Sequence, residues 1–306
     1  MSENPQQFLD VDALLERSRP RAPGARLGRM AGVFLLVVLL SAFVSSRGGE
    51  AASVVDLISN LVMVGLVGGL ILFSWRTTRR TRMESMALQA IDELLCLRRW
   101  PEAAGVLNTM LSRPVVLAQS RTQGLIFLSG LLARYHRFDD AIRVQDELIE
   151  NGRLDPASEY SLKMSRTMAM LRQDHLVDAD RSINELRNYA ARAGRALGQG
   201  QTPYELSAGL AVLEVYRDVK TGHSAEAIEL FNTTLPTIRE QLGHRIADGY
   251  VLAARAYDLL GQTDSAQDYY TKATFLAPAA ELHRRYPETE PLAGKYRAAE
   301  GPKEAA

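Results

Sequence analysis

The chain has 306 residues, 46% of them hydrophobic and 24% charged, with Lys+Arg and Asp+Glu both at 36. This composition excludes the fibrous and wholly disordered classes, and the single cysteine excludes an internal disulfide framework and suits a reducing compartment. The neutrality conceals a split. Residues 1–82 carry ten basic and six acidic side chains, residues 83–306 carry 26 and 30, and the mildly acidic remainder argues against nucleic acid as a partner.

Residues 1–29 read as an N-terminal tail. Within it Phe8, Val11, Leu14 and Leu15 fall on one side of a short amphipathic helix. That stretch is either a disordered tail or a docking peptide, held by a partner or by the chain's own downstream domain. The following SRPRAPGARLGR is broken by Pro and Gly and makes a linker.

Two apolar runs come next, residues 30–46 and 54–75, joined by only seven residues. A bilayer core about 30 Å thick needs roughly 20 apolar residues of helix. The second run meets that length, and the first is at the short end. Lipid forces each run to satisfy its own backbone, so the expectation is a transmembrane hairpin of two helices over 30–75. The Arg- and Pro-rich 29 residues before the first run differ from the short basic start of a cleaved signal peptide.

Arginine placement orients the hairpin. Arg17, Arg19, Arg21, Arg26 and Arg29 precede it, and Arg76, Arg79, Arg80 and Arg82 follow it, whereas the link holds Arg47 offset by Glu50. Positive charge stays inside, so both termini are expected in the cytoplasm. The 76–82 segment is basic, and its arginines are expected to meet anionic lipid headgroups at about 1 kcal/mol each. Gly65 and Gly69 form a small-xxx-small face that packs either on the first helix or on another copy, giving a homo-oligomer. Asp56 and Asn60 lie in outer turns and read as interfacial. Only five of the basic residues are lysine, a usage that points to a GC-rich bacterium and hence to its inner membrane.

No breaker separates the second run from Met83-Glu-Ser-Met-Ala-Leu-Gln-Ala-Ile, so one helix is expected to leave the membrane and enter the first soluble pair. Cys96 falls in its apolar pattern and is expected to be buried. From residue 83 onward the period is helical throughout, with no sustained strand-like alternation.

Internal repetition is clearest in Gly249–Pro278, GYVLAARAYDLLGQTDSAQDYYTKATFLAP. Two helical patterns flank Gly261. Small Ala254 permits close approach beside Tyr257, Ala266, Tyr270 and Ala273 share a face, and Pro278 stops the second helix. This unit resembles the tetratricopeptide repeat (TPR) family. Weaker copies place Ala103, Ala141, Ala179 and Ala227 where this unit has Ala266, at intervals of 38, 38, 48 and 39 residues, somewhat above the family's period of about 34. The long interval contains Ala190–Pro203, a glycine-bearing insertion. HEAT or Sel1-like pairs are the alternative, although the Sel1 glycine-rich loop is not evident. The expected fold is therefore all-α, a transmembrane hairpin followed by a solenoid of about five TPR-like pairs over 83–286. Residues 279–286 cap the last repeat, and 287–306, rich in Glu, Pro, Ala and Gly, form a flexible tail.

Chemistry is sparse. His136, His175, His223, His244 and His283 stand singly, the first three near expected turns, and no metal set is readable. No phosphate loop, dinucleotide fingerprint or nucleophile elbow occurs, so neither an enzyme nor a cofactor is expected. Met164, Met168 and Met170 read as core filling. The resemblance implies a concave face lined by first helices that binds a protein or peptide, with Lys163 and Arg166 as groove candidates. The first unit lacks the lysine and asparagine with which some TPR domains clamp a carboxylate tail, which puts that ligand in doubt. The expectation is a membrane-anchored scaffold that binds a protein or peptide at the cytoplasmic face. The alternative is a structural subunit of an envelope-assembly or transport complex whose hairpin packs within it.

Overall fold

A computed structural model of the chain describes residues 9–20, 51–152, 154–196 and 207–296, leaving aside the side chains of 51–63, 66 and 244. Every regular element among them is helical. The chain divides into two compact units, residues 1–135 and 136–306.

The first unit contains α1 (Val11–Arg17), α2 (Ala51–Cys96), α3 (Trp100–Leu111) and α4 (Ala118–Arg134). The sequence starts α1 with Asp10, whose carboxylate accepts the Ala13 N–H at 3.1 Å, an N-cap that satisfies one orphan donor. Leu9, Val11 and Leu14 are buried, and α1 packs on α3. The short helix is thus docked on the chain itself, with Leu15 only half-buried and Phe8 outside the described residues.

Helix α2 runs without a break for 46 residues. Its distal end packs on α3 and α4, burying Glu84 and Ile91, two turns apart on one face. Cys96 is exposed, contrary to expectation. It follows Ile91 by five residues, about 140° around a 3.6-residue helix, and so leaves the buried face.

Among the described residues no helix is long and apolar enough to cross a membrane. The run 30–46 lies outside the described residues, as does the signal-peptide question, and within 54–75 the described side chains begin at Val64. The hairpin is therefore not part of the observed fold.

The second unit contains α5 (Phe138–Asn151), α6 (Pro156–Arg172), α7 (Leu176–Ala196), α8 (Ala208–Thr221), α9 (Ser224–Leu242), α10 (Ile246–Leu259), α11 (Thr263–Leu276), α12 (Ala279–Arg285) and α13 (Pro291–Lys295). Consecutive helices pack from α5 to α11, and α6 also meets α8 as α8 meets α10. Two layers result: first helices α6, α8 and α10 in one, second helices α7, α9 and α11 in the other. The core between them is small where helices close, with Ala211, Ala227, Ala254, Ala266 and Ala273 all inaccessible, and aromatic where space opens, with Tyr216, Phe231 and Tyr270 fully buried. The boundary between the units falls between α4 and α5, inside the expected second pair, so the 83–286 region is not one compact body.

One local device recurs five times. Arg98, His136, Asp174, Gly222 and Gly261 all have positive φ, between 58° and 82°. Each lies two residues before a second helix and five before one of the alanines 103, 141, 179, 227 and 266, and those five alanines are all buried. In four of the turns the next N–H reaches back five residues: Arg99 to Leu94 O, His175 to Met170 O, His223 to Asp218 O and Gln262 to Tyr257 O, at 2.8–3.0 Å. This is the Schellman closure of a helix C-terminus, which glycine adopts freely and other residues at a cost of about 1–2 kcal/mol.

Two further expectations are corrected. Residues Ala190–Ala196 belong to α7 and are not part of an insertion, while 197–206 lie outside the described residues. Residues 287–296 are not a flexible tail. Thr289 and Leu292 are fully buried and Tyr296 nearly so, because the second unit supplies partners for them. Residues 297–306 lie outside the described residues.

Candidate functional site

Two surfaces have functional chemistry. The first lies along α2. Val64, Val67, Leu70, Ile71, Leu72, Phe73 and Trp75 are all exposed, from 40% for Phe73 to 71% for Val64. They point around the helix rather than along one stripe, so no single apolar face of this stretch is seated on the rest of the described chain. Gly65 and Gly69 have nothing within 4 Å of where a Cβ would stand, and neither has Gly68, so among the described residues nothing packs on this face. Arg76, Arg79, Arg80 and Arg82 follow immediately and are all exposed. Arg79 lies 5.9 Å over the Trp75 ring, a cation–π arrangement.

This helix is joined to the N-terminal segment through the rest of its unit. The buried Arg121 of α4 donates from Nε to Ser18 Oγ at 3.2 Å and from Nη2 to Leu15 O at 3.1 Å. The Val116 N–H donates to Glu84 Oε1 at 2.8 Å. These bonds tie the close of α1, the start of α4 and the distal half of α2 to one another.

The second surface is the face of α6, α8 and α10 within the second unit. It is covered by the chain's own residues 285–296. Arg285 pairs with the buried Asp248 at 2.6 Å. The Tyr286 ring meets Tyr216 edge-on at 5.0 Å, with the Arg172 guanidinium 5.6 Å over it. Glu288 accepts the Tyr216 hydroxyl at 3.1 Å and pairs with Lys220 at 2.7 Å. Lys220 is itself nearly buried, paired also with Asp174. Farther along, Lys295 and the Tyr296 hydroxyl both reach Asp258 Oδ1, at 2.9 and 2.8 Å. This segment therefore crosses all three first helices, and every charge that it buries has an opposite charge facing it.

The electrostatics follow from that enclosure. Burial pushes the Tyr216 and Tyr286 hydroxyls well above the ordinary phenol range, with the Glu288 carboxylate adding to the first and Asp248 to the second. Burial likewise raises Asp248, against the opposing pull of Arg285, Arg245 and Arg172. At Asp258 burial also raises, but the hydrogen bonds from Lys295 and Tyr296 and the neighbouring cations win, and the carboxyl lies below its usual range.

Lys163 and Arg166 are both on α6, but away from this cluster. Lys163 pairs with Glu159 at 2.6 Å and lies 5.6 Å over the Tyr189 ring of α7. Arg166 pairs with Asp146 of α5 and contacts the Met170 sulfur. Both cations are engaged within the chain. Sequence reasoning missed Arg172, Tyr216 and Lys220, which face the covering segment. The available signal was the spacing Leu282, Tyr286, Leu292 and Tyr296, apolar anchors in a stretch otherwise rich in Pro and Glu.

Among the described residues no group of three or more His, Cys, Asp or Glu side chains is placed to hold a metal ion. His136, His175 and His223 are exposed at the turns. His283 is bonded on both nitrogens, to Tyr270 Oη at 3.1 Å and Thr289 Oγ1 at 3.0 Å, so it fastens α12 to α11. Met170 is buried, and Met164 and Met168 pack against the core. No family model, curated protein or solved structure matches the chain.

Proposed function

We propose that the chain is an integral membrane protein. Residues 30–46 and 54–75 form a hairpin that holds a solenoid of about five TPR-like helix pairs at the cytoplasmic face, and the solenoid binds a protein or peptide partner there, without catalysis.

 The observation that carries this reading is the surface of α2: exposed apolar side chains from Val64 to Trp75 pass directly into exposed Arg76, Arg79, Arg80 and Arg82. Lipid is the medium that suits the first stretch, and anionic headgroups suit the second.

The docked N-terminal segment supports the two-span arrangement. Residues 9–20 and the distal half of α2 are bonded into one unit, so both ends of the chain between them stand on one side of any bilayer that it enters. An even number of crossings meets that condition, and one crossing by residues 54–75 alone does not. The repeated turns and the five buried alanines support the solenoid reading. Engagement of Lys163 and Arg166 by Glu159 and Asp146 turns the search for the partner site toward other residues.

The recruiting role is tested by crosslinking in intact membranes at native abundance, followed by identification of what is attached to the chain. The expected result is a distinct protein joined through residues of 136–296. Recovery of the chain alone, or of copies of itself joined through Gly65 and Gly69, contradicts recruitment. The second outcome favours the alternative role of the hairpin as a packing surface within a membrane complex, for which the open face at those glycines is the motivation.

A further inference from the structure

The segment that covers α6, α8 and α10 has a chemistry of its own. Its order is basic, aromatic, proline, acidic over Arg285, Tyr286, Pro287 and Glu288, then a basic–aromatic pair at Lys295 and Tyr296. Each of these side chains except the proline meets a complementary group on the helices beneath. Arg285 meets Asp248, Tyr286 lies between Tyr216 and Arg172, Glu288 meets Lys220, and Lys295 with Tyr296 meets Asp258. Three first helices thus present an alternating row of charge, with an aromatic slot between. Such a row reads sequence, because reversing any one charge sets like charges face to face at Asp248, Lys220 or Asp258.

The covering segment is also built to be separable. It follows Pro278, beyond the last large helix, and its own helices are short: seven residues in α12 and five in α13. Helices of that length are not stable by themselves, so the segment holds its shape only while seated. Its far end is open, with Lys295 about half exposed, so release costs chiefly the burial of Tyr286, Thr289, Leu292 and Tyr296.

We infer that the face of α6, α8 and α10 is a peptide-binding groove whose resident ligand is residues 285–296, and that the external partner is an extended peptide of the same order, basic–aromatic–x–acidic, which takes its place. The inference rests on the reading of the second unit as a partner-binding solenoid. Its ligand is defined by Asp248, Tyr216, Arg172, Lys220 and Asp258. A tethered segment competes at an effective concentration in the mM range, so a free peptide of equal contacts binds the intact chain weakly and a chain with a loosened segment strongly.

The test uses the full chain and a fluorescent peptide of residues 282–296, LHRRYPETEPLAGKY. Leu292→Ser with Tyr296→Ser removes two of the segment's four apolar anchors, loosening its far end, and leaves the groove residues in place. This variant should bind the peptide at least tenfold more tightly than the unaltered chain, and a peptide with the Arg285 and Glu288 charges exchanged should not bind. If the variant keeps its helical content but binds neither peptide, or both equally, the groove does not exist. Hydrogen exchange on the unaltered chain gives an independent reading. Amides of 286–296 should exchange at least tenfold faster than those of α10. Exchange of both in step makes the segment an inseparable part of the fold and overturns the inference, whether or not the variant folds. Peptide binding that meets these expectations while crosslinking yields no partner leaves the groove standing and removes only the recruiting role.

Discussion

Phe231→Ala should lower the stability of the second unit by about 3–5 kcal/mol, the cost of emptying a site of that size in a packed core. Phe231 is fully buried. Its ring meets Tyr250 edge-on at 5.9 Å and Tyr269 at 5.8 Å, so one side chain of α9 joins α10 and α11. Collapse around the cavity is restricted on both sides. The Tyr250 hydroxyl accepts from Arg239 at 3.2 Å, and Tyr269 is stacked on Tyr257 at 5.2 Å while donating to Asn232. Gly249 reports on the same contact from the other direction. A Cβ there would stand 2.8 Å from Phe231 Cε2, so Gly249→Ala should cost about 1–3 kcal/mol by overpacking. Combined with Phe231→Leu, it should cost less than the two changes added, because the neighbours share one space. Urea unfolding of the full chain measures both. A shift below about 1 kcal/mol for Phe231→Ala would mean that the three helices are not held through this ring.

The second large effect is expected at Arg121. Arg121→Met keeps an apolar stem but removes the donors that reach Ser18 Oγ and Leu15 O. Hydrogen bonds to a charged group contribute about 1.5–3 kcal/mol, and a buried carbonyl left unpaired adds to the loss. Leu9, Val11 and Leu14 bury little else once α1 lifts, since a seven-residue helix does not persist alone. The expected result is faster trypsin cleavage after Arg17 with the helical content of the rest unchanged, and partial protection restored by Arg121→Lys. Cleavage at the unaltered rate would show that the segment is held by its apolar side chains and not by the guanidinium.

The sequence made some of this legible and hid the rest for physical reasons. The five alanines were readable because a helix pair that closes tightly tolerates nothing larger, and all five are buried. The turns that precede them were harder to see. Gly222 and Gly261 advertise a left-handed residue, but Arg98, His136 and Asp174 occupy the same conformation with side chains that carry no such signal. The helical part of the 190–203 stretch was hidden for a related reason, since Ala190–Ala196 is as compatible with a helix end as with a loop. Cys96 was assigned to the core from a run of apolar neighbours, whereas Glu84 and Ile91 set the buried face. In that case a charged residue marked the interior better than its apolar neighbours did.

The two docked ends were hidden because their partners are distant in sequence. The apolar spacing of Val11 and Leu14 was visible, but the Arg121 that receives the segment lies more than 100 residues away. Residues 287–296 look like a frayed end by composition, and it is Lys220 and Asp258 that make the charges of Glu288 and Lys295 favourable to bury. The groove candidates Lys163 and Arg166 were chosen for their helix, and α6 does line the covered face. That face is reached by Arg172 of the same helix, one to three turns farther on, while the two candidates turn toward α7 and α5.

Labelling with a thiol reagent that does not cross membranes tests the central claim most directly. Cys96 is exposed and is the only cysteine, so the unaltered chain reports the side of the repeat region. It should label only after the cells are opened. In a Cys96→Ser background, a cysteine placed at Gly48 should label in intact cells, and one placed at Thr77 should label only in opened ones. Labelling at Thr77 in intact cells, or failure at Gly48, would contradict a hairpin that keeps both ends of the chain on the cytoplasmic side.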